Sequence, residues 1–312
     1  MTEQVEYKPI LTITGPTGSG KTSLALKLAE KFPLEIISAD SRQIYRLMNI
    51  GTAKPSEEEL FSLVHHLIDI RNPDEKFDAG QFVNEVTRLV PQIVKRGKIP
   101  VIAGGTGMYI WALEQGLFEA GQIPSRIREK FRKLKHENNL LHQMLRAVDP
   151  EMAELLHPND LQRISRALEI FEFTGKPMSV WKKNHTQKQF PYALEIFILN
   201  PSREKLYNKI NDRVESMMDA GLIDEVRQLV TMGYSLENNS LRSVGYQEVI
   251  PYLEGETDLE TMINEIKKNS RRYAKRQLTW LRKQSATWLD VNSPQDLADA
   301  IFQIESFLKK NW

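Results

Sequence analysis

The sequence predicts an α/β fold: a parallel sheet core with a helical insertion and a helical C-terminal region. Short apolar strands alternate with helical segments over the first hundred residues, and a glycine-rich loop follows the first strand. Strand signals are then absent between residues 124 and 181 and return at residue 192. Strands that are apolar throughout are typical of a parallel sheet covered by helices on both faces. We therefore expect one α/β core with an inserted domain rather than two domains in tandem.

The predicted core elements follow the changes in hydrophobic pattern along the chain. Strands are expected at residues 8–14, 34–39, 99–103 and 192–200, with a further short strand at 287–291. Helices are expected at residues 21–32, 82–95, 203–219, 221–232, 258–283 and from 294 onward. These elements assign residues 1–115 together with 190–312 to the α/β core.

The inserted domain, residues 116–189, is predicted to be helical. Apolar residues recur at helical spacing in the segments 125–136, 139–147, 150–156 and 160–173. In the last segment the apolar face includes Ile164 and Leu168, whereas Gln162 and Arg166, four residues apart, share a different face. This segment is therefore predicted to be an amphipathic helix.

Composition excludes several classes of protein. The 312 residues include no cysteine, which rules out a disulfide framework, thiolate zinc sites and cysteine nucleophiles. Hydrophobic residues make up 41% and charged residues 27%, so collagen-like, coiled-coil and disordered chains are excluded. The N-terminal residues lack a signal-peptide pattern, and no apolar run approaches the roughly 20 residues of a membrane span. We therefore expect a cytoplasmic protein without a membrane partner.

A phosphate-binding loop is the most specific motif in the chain. Residues 15–22, GPTGSGKT, match the pattern G-x-x-x-x-G-K-[ST] in full and lie between a predicted strand and a predicted helix. Glycines let backbone amides face an anion, the helix N-terminus adds positive potential, Lys21 neutralises phosphate oxygens, and the Thr22 hydroxyl can bind Mg²⁺. The motif predicts a bound diphosphate or triphosphate without identifying the molecule that carries it. The residues assigned to this site are Gly15, Pro16, Thr17, Gly18, Ser19, Gly20, Lys21 and Thr22.

Two further segments follow strands at the same edge of the predicted sheet. Asp40 comes directly after the apolar run LEIISA, at the edge where ligands of open α/β sheets bind. A carboxylate there could bind Mg²⁺, orient a nucleophile or cap a turn. The strand at 99–103 is followed by Gly104-Gly105-Thr106-Gly107 and not by the acidic residue common in ATPases, which argues against ATP hydrolysis. The two close glycines predict a tight approach of the backbone to a ligand, beside the Thr106 hydroxyl.

The near-neutral net charge conceals an uneven distribution. Lys and Arg total 42 against 41 Asp and Glu, yet residues 267–283 contain eight basic residues and no acidic one, with Tyr273 and Trp280 among them. Residues 121–150 contain seven basic and three acidic residues. Basic segments with aromatic residues are typical of RNA binding, although a run of charge is commonly only a solvated face. The charge pattern alone leaves both interpretations open.

Several sequence blocks, taken in order over nearly the whole chain, resemble the tRNA dimethylallyltransferase family. These blocks are GPTGSGKT, DSRQIYRLMNIGTAKP at 40–55, GGTGMYI at 104–110, LQRISRALEIFEFTGKP at 161–177, LRSVGYQE at 241–248 and YAKRQLTWLR at 273–282. The resemblance implies a P-loop NTPase-like core and the bacterial form, without the C-terminal zinc finger of many eukaryotic members. It also implies transfer of a dimethylallyl group from dimethylallyl diphosphate to N6 of adenosine 37, beside the anticodon of tRNAs that read codons beginning with U.

The resemblance also assigns roles to individual residues. Asp40 matches the family's general base, Thr106 a residue near the reacting atoms, and Arg213 an arginine that binds the departing diphosphate. It implies Mg²⁺ at Thr22, a tRNA anticodon stem-loop as macromolecular partner and a monomeric enzyme. On the residues alone, the alternative that Arg213 is an exposed arginine on a helix with an apolar stripe stays open. The residues that match tRNA-contacting positions are Asp40, Ser41, Arg42, Gln43, Thr106, Arg128, Gln162, Arg163, Ile164, Ser165, Arg166, Arg242, Ser243, Val244, Gly245, Tyr246 and Gln247.

Three alternative functions stay open at this point. A P-loop small-molecule kinase would use Asp40 to orient an acceptor hydroxyl, but the chain lacks an acidic residue after the third strand. An adenylate isopentenyltransferase would prenylate free AMP or ATP and would need no basic surface for an anticodon loop. A non-catalytic RNA-binding protein could keep the loop as a relic, which the intact Lys21-Thr22 pair argues against.

Overall fold

The computed structural model describes residues 8–117, 121, 123–137, 139–184 and 190–312. The N-terminal part contains β1 (Ile10–Thr14), α1 (Lys21–Ala29), β2 (Leu34–Ser38), α2 (Glu57–Ser62), β3 (His65–His66), α3 (Ala79–Lys95), β4 (Ile99–Gly104) and α4 (Gly107–Gln115). A helical stretch follows, with α5 (Ser125–Lys133), a 3-10 turn (Leu134–His136), α6 (Leu140–Val148), α7 (Pro150–Leu155), α8 (Leu161–Thr174) and α9 (Met178–Asn184). The remainder contains β5 (Leu194–Asn200), α10 (Arg203–Asp219), α11 (Leu222–Thr231), α12 (Tyr246–Leu253), α13 (Leu259–Leu281), β6 (Thr287–Asp290) and α14 (Pro294–Asn311).

Six parallel strands form one sheet in the order β3-β2-β4-β1-β5-β6, which confirms the predicted α/β core. Thr14 at the end of β1 is paired with Gly104 at the end of β4, and Ser38 at the end of β2 is paired with Ala103. The carboxyl ends of these three strands therefore coincide. As a result, the loops that follow β1, β2 and β4 share one edge of the sheet.

Helices cover both faces of this sheet. Leu28 of α1 and Ile304 of α14 are fully buried in the cluster on one face. On the other face, Phe82 of α3 stacks on Tyr109 of α4, with ring centroids 4.3 Å apart. Two-sided burial explains why the strands are apolar throughout. Among the described helices, none has the length and apolar character needed to cross a bilayer.

The chain divides into two compact units, Met1–Glu114 with Phe190–Trp312, and Gln115–Gln189. These limits differ by one residue from the expected boundary of the insertion. The larger unit contains the sheet, and the smaller one consists of helices α5 to α9. The smaller unit has its own core, in which Phe131, Leu145, Ile164 and Leu168 are buried. Its longest helix, α8, thus buries the apolar stripe that the sequence indicates.

Several short elements are not predicted by the hydrophobic pattern of the sequence. Helices α2, α4, α9 and α12 and strand β3 lie where no element is expected. Helix α12 contains Pro251 and begins after Gly245, whose φ is 101°, and both residues normally indicate a loop. Its buried side chains, including Val249 and Ile250, hold this helix against α11 and α13. Packing therefore outweighs the local signals here.

Glu225 of α11 joins the helical C-terminal region to the segment after β2. Its carboxylate accepts hydrogen bonds from the amides of Asn49 and Ile50 at 2.8 Å, from the amide of Gly51 at 3.2 Å, and from the Tyr246 hydroxyl at 2.6 Å. Tyr246 is fully buried, and a Cβ on Gly51 would lie only 2.4 Å from its ring. Burial and the neighbouring carboxylate hold the pKa of Tyr246 well above its usual value, so the hydroxyl remains a donor.

Tyr246→Phe should lower the free energy of unfolding by about 1–3 kcal/mol, because the Glu225 carboxylate loses its hydroxyl donor. Urea denaturation followed by circular dichroism measures the change. Tyr252→Phe on the same helix is the matched control, since the Tyr252 hydroxyl makes no hydrogen bond to any described residue. Equal stability of the two variants would show that the Tyr246–Glu225 hydrogen bond contributes nothing.

Candidate functional site

One cavity of about 800 Å³ lies where the loops after β1, β2 and β4 meet. Residues of α10, of α13 and of the segment 242–247 complete its wall, and all of them belong to the larger unit. The lining residues are Thr17, Gly18, Gly20, Lys21, Thr22, Ser23, Asp40, Ser41, Arg42, Gln43, Gly51, Thr52, Ala53, Gly105, Lys209, Ile210, Arg213, Val214, Met217, Arg242, Ser243, Val244, Gln247, Ile266, Ser270, Tyr273, Arg276 and Gln277. The cavity therefore joins the phosphate loop to Asp40 and Arg213, three features that the sequence analysis identified separately.

The phosphate loop keeps several backbone amides without an acceptor. Gly20, with φ 93°, adopts the left-handed conformation that favours glycine, and α1 begins at the next residue. Amides at the start of a helix have no acceptor within that helix and form an anion site together with its dipole. Within the described part of the chain, the amides that donate no hydrogen bond here are those of Gly18, Gly20, Lys21 and Thr22.

Lys21 lies in the loop with its charge poorly compensated. Its Nζ donates to the carbonyl oxygens of Gly15 and Pro16, both at 2.9 Å. Burial lowers the pKa of Lys21 to about 8; the Asp40 carboxylate partly opposes this shift, and the Arg213 cation adds to it. Carbonyl groups are weak partners for an ammonium group, so an anionic phosphate would be a better one.

The turn after β2 orients the Asp40 carboxylate. Its Oδ1 accepts from the amides of Arg42 at 2.8 Å and of Gln43 at 3.3 Å. No described residue donates to Oδ2. Asp40 therefore caps a turn, as one interpretation of the sequence proposed, and still keeps an oxygen for a partner in the cavity. The two interpretations are compatible.

Thr106 supports this turn from the neighbouring loop. Its Oγ1 accepts from the amide of Ser41 at 3.0 Å, and its own amide donates to the carbonyl of Ala39 at 3.1 Å. Thr106 is absent from the cavity lining, whereas the adjacent Gly105 belongs to it. In the structure, Thr106 therefore fixes the backbone beside Asp40, and direct contact of its hydroxyl with reacting atoms stays a prediction.

The glycines at positions 104, 105 and 107 are each required by protein neighbours, while Gly105 also lines the cavity, and its close approach to a ligand stays a prediction. A Cβ on Gly104 would lie 2.2 Å from the carbonyl oxygen of Ala39. A Cβ on Gly105 would lie 2.4 Å from Gln277 Nε2, and one on Gly107 would lie 2.4 Å from the Trp280 ring. The close approach is thus between this loop, the end of β2 and helix α13.

Arg213 lies on α10 and lines the cavity, so the interpretation as an exposed surface arginine was wrong. The apolar stripe of α10, which includes Ile210 and Val214, is buried below it. Its Nη2 donates to the carbonyl of Thr52 at 3.3 Å. Burial lowers the pKa of Arg213, and the Asp40 carboxylate partly opposes this shift. Arg213 is therefore, like Lys21, a cation of the cavity that burial leaves poorly solvated.

Most of the predicted tRNA-contacting residues in the larger unit line the same cavity. They are Asp40, Ser41, Arg42, Gln43, Arg242, Ser243, Val244 and Gln247. Gly245 and Tyr246 are different, because Gly245 starts helix α12 and the Tyr246 side chain is buried against Gly51. Their contribution in the structure is to shape the segment that carries Arg242 and Gln247.

The predicted contact residues in the smaller unit differ in exposure. Ile164 is fully buried and Ser165 is buried, so their side chains support α8 and leave RNA contacts to their neighbours. The exposed members of the set are Arg128 on α5 and Gln162, Arg163 and Arg166 on α8.

Helix α13 has one face towards the cavity and one exposed face, a difference that the count of basic residues does not reveal. Tyr273 and Gln277 line the cavity and Trp280 packs on Gly107, so one face of the helix meets the site. Burial, assisted by the Asp40 carboxylate, raises the pKa of Tyr273 to about 12, and its hydroxyl therefore stays protonated. Lys275 lies on an exposed face. The spacing of Tyr273, Gln277 and Trp280 within the basic run is the signal that could have indicated the buried face.

Only part of the basic run on α13 is available to a polyanion. Lys267 forms an ion pair with Glu215, and Arg271 Nη1 donates to Asn211 Oδ1 at 2.7 Å. Lys275, in contrast, is exposed and has no ion-pair partner in the described part of the chain. Part of the basic run is thus engaged in contacts within the protein, and part is exposed without an ion-pair partner in the described residues.

Comparisons with known proteins agree with this arrangement. A family model described as IPP transferase matches residues 43–284. A tRNA dimethylallyltransferase of Syntrophobacter fumaroxidans is 44% identical over 299 residues, which cover 94% of this chain and 86% of the relative. The solved full-length tRNA isopentenylpyrophosphate transferase from Bacillus halodurans is 38% identical with a TM-score of 0.71, covering 97% of this chain and 98% of that one. A eukaryotic dimethylallyltransferase acting on tRNA is 27% identical with a TM-score of 0.84, covering 98% and 80% of the two chains.

The fold and cavity first define a class, the α/β proteins that bind a phosphorylated ligand at the carboxyl edge of a parallel sheet. The family follows from the comparisons. The chain belongs to the IPP transferase family, so it is a prenyltransferase enzyme, and its predicted membership among the tRNA dimethylallyltransferases is confirmed. The kinase, adenylate isopentenyltransferase and non-catalytic RNA-binding alternatives are correspondingly not favoured.

Diphosphate binding should weaken as the pH rises above about 8, because Lys21 loses its proton there in the free enzyme. The affinity for the diphosphate should fall about tenfold for each pH unit above that value. The fall should end at the pKa of Lys21 in the complex, which the bound anion raises. Calorimetric titration with inorganic pyrophosphate from about pH 7 to about pH 10 measures this. Lys21→Arg stays charged and should give a flat profile, whereas Lys27→Arg, an exposed position on α1, should keep the wild-type slope. A flat wild-type profile would contradict the proposed role of Lys21.

Proposed function

We propose that this enzyme transfers a dimethylallyl group from dimethylallyl diphosphate to N6 of adenosine 37, beside the anticodon of tRNAs that read codons beginning with U. The observation that carries this proposal is the shared cavity. Free amides and Lys21 of the phosphate loop line the same space as Arg213 and Asp40. Cations for a leaving diphosphate and a carboxylate for proton removal are thus present in one place.

Departure of the diphosphate is the step that the cations assist. The bond between C1 of the dimethylallyl group and the diphosphate oxygen breaks, and the oxygen keeps the electron pair. Negative charge grows on the diphosphate while positive charge grows on the allyl carbon. Lys21, Arg213 and the free amides of the loop stabilise that negative charge from fixed positions, since Arg213 is held by the Thr52 carbonyl. ATP has no part in this reaction.

Proton removal from the adenine amine is assigned to Asp40. The N6 nitrogen forms its new bond to C1 and transfers one proton to the carboxylate, which leaves the secondary amine neutral. The amides of Arg42 and Gln43 bind Oδ1, so Oδ2 is the oxygen left for the amine. The turn thereby orients the carboxylate before the substrate arrives, which lowers the reorganisation needed for reaction.

Magnesium fits this site as a partner of the diphosphate. No cluster of three or more His, Cys, Asp or Glu side chains occurs in the described ranges, so protein groups alone do not form a cage for a metal ion. Mg²⁺ typically keeps several waters and binds substrate phosphates with one or two protein oxygens. The Thr22 hydroxyl, at the cavity wall, is the protein oxygen suited to this role. The ion would neutralise charge on the leaving diphosphate.

Recognition of tRNA has to compensate for unstacking the target adenine. Moving a base out of its stack costs a few kcal/mol, which contacts to the rest of the loop offset. We also infer a monomeric enzyme in the cytoplasm. The contacts to tRNA are assigned to those residues of the predicted set that are exposed or line the cavity. These residues are Asp40, Ser41, Arg42, Gln43, Arg128, Gln162, Arg163, Arg166, Arg242, Ser243, Val244 and Gln247.

Label transfer tests this function directly. The enzyme is incubated with dimethylallyl diphosphate labelled in the allyl group, with Mg²⁺ and without ATP, in the presence of either tRNA or AMP. Label in tRNA, located at adenosine 37 by nuclease digestion, is the expected result. Label in AMP alone would identify an adenylate isopentenyltransferase, and no transfer to either acceptor would overturn the proposal.

Asp40→Asn should lower kcat by about 10²–10⁴-fold, because it removes the proton acceptor. Asparagine keeps an oxygen for the amides of Arg42 and Gln43, so the turn and the affinity for tRNA should be retained. Single-turnover transfer and filter binding measure the two quantities. Asp78→Asn, which keeps the cap at the start of α3, is the matched control and should leave both unchanged. A kcat of Asp40→Asn close to the wild-type value would remove Asp40 from the base role.

A further inference from the structure

Gln277 connects two loops of the cavity through a single buried side chain. Its Oε1 accepts from the amide of Thr17 at 2.8 Å, and its Nε2 donates to the carbonyl of Gly105 at 2.9 Å. The residue is only 9% exposed. Thr17 belongs to the phosphate loop and Gly105 to the loop after β4, so α13 is bonded to both.

The two hydrogen bonds require an amide side chain. One side chain must accept from an N–H and donate to a carbonyl at once, which a carboxylate or an aliphatic group of similar size cannot do. Space for the amide exists because residue 105 is glycine, where a Cβ would lie 2.4 Å from Gln277 Nε2. The donor and acceptor ends of Gln277 are therefore both specified by its neighbours.

The bond from Thr17 determines which amides remain for an anion. Thr17 N–H is directed to Gln277, and Ser19 N–H donates to the carbonyl of Pro16 at 3.1 Å. The amides of Gly18, Gly20, Lys21 and Thr22 have no acceptor in the described part of the chain. Gln277 thus holds the first part of the loop while the rest stays open to phosphate.

We propose that Gln277 is a positioning residue for the diphosphate, which holds the phosphate loop at a fixed distance from the Gly105 loop. This inference rests on the proposed function, since it takes the loop to be the diphosphate site. Gln277 acts through Thr17 and Gly105. A role in packing alone would affect the stability of α13 and leave diphosphate affinity unchanged.

Gln277→Met tests the inference, because methionine has a similar volume and makes neither hydrogen bond. The Kd for inorganic pyrophosphate and the KM for dimethylallyl diphosphate should both rise about tenfold, which corresponds to the loss of one typical hydrogen bond. The Kd for tRNA should stay within about twofold, since the exposed basic side chains of α13 are retained. Calorimetry, steady-state kinetics and filter binding provide the three numbers.

Gln303→Met is the matched control, because Gln303 is exposed on α14. It should reproduce all three wild-type constants. Thermal unfolding of both variants establishes that they are folded at the assay temperature. Gln277→Met with wild-type affinity for pyrophosphate would overturn the inference, and so would an equal loss of tRNA and pyrophosphate affinity.

Gln277→Glu provides a second variant should methionine prevent folding. The new carboxylate still accepts from Thr17 but cannot donate to Gly105, so pyrophosphate affinity should be at least tenfold lower at about pH 8. Protonation restores a donor, and the deficit relative to wild type should shrink as the pH falls towards about 5. A variant with wild-type affinity at pH 8, or with a deficit that does not change with pH, would contradict the assigned hydrogen bonds.

The wild-type protein separates this inference from the function on which it depends. Failure of wild type to bind pyrophosphate would overturn the assignment of the loop as a diphosphate site, whatever the variants do. Tight binding by wild type together with equally tight binding by Gln277→Met would leave the proposed function standing and remove only the role of Gln277.

Discussion

The coincident carboxyl ends of β1, β2 and β4 are the constraint on which the rest of the site depends. Parallel pairing places Thr14 opposite Gly104 and Ser38 opposite Ala103, so the three following loops must share one edge. Gly104 permits this, because a side chain there would collide with the carbonyl of Ala39. Groups that are far apart in the sequence, such as Lys21 and Asp40, thereby line one cavity without any long excursion of the chain.

The charges in that cavity are arranged for an anion that the protein itself does not supply. Among the described residues, six cationic ones line the cavity beside the Asp40 carboxylate, and burial lowers the pKa of two of them, Lys21 and Arg213. Such an arrangement costs folding stability, because charge is held in a poorly solvated place without full compensation. A diphosphate would restore the balance, so an arrangement that costs folding stability is also one that suits an anionic ligand.

The sequence predicts those features whose physics is local. Apolar strands, the amphipathic helix α8 and the phosphate loop each have a pattern that is recognisable over a few residues. The remaining features depend on partners distant in sequence: Gln277 contacts Thr17, 260 positions away, and α12 forms despite Pro251 because it packs against its neighbours. A resemblance to a family indicates which positions match its RNA-contacting residues but not whether their side chains are exposed. For this reason the predicted RNA-contacting set includes Ile164 and Ser165, although both side chains are buried.

The fit between the loop after β4 and helix α13 also limits the substitutions that this part of the protein can accept. Gly105 faces the amide of Gln277, and Gly107 faces the ring of Trp280. In both places a Cβ on the glycine would lie only 2.4 Å from the facing side chain. A larger residue at position 107 requires the Trp280 ring to move, whereas one at position 105 displaces the Gln277 amide from its hydrogen bond to the Gly105 carbonyl. Any redesign of the cavity should therefore treat this loop and α13 as one unit.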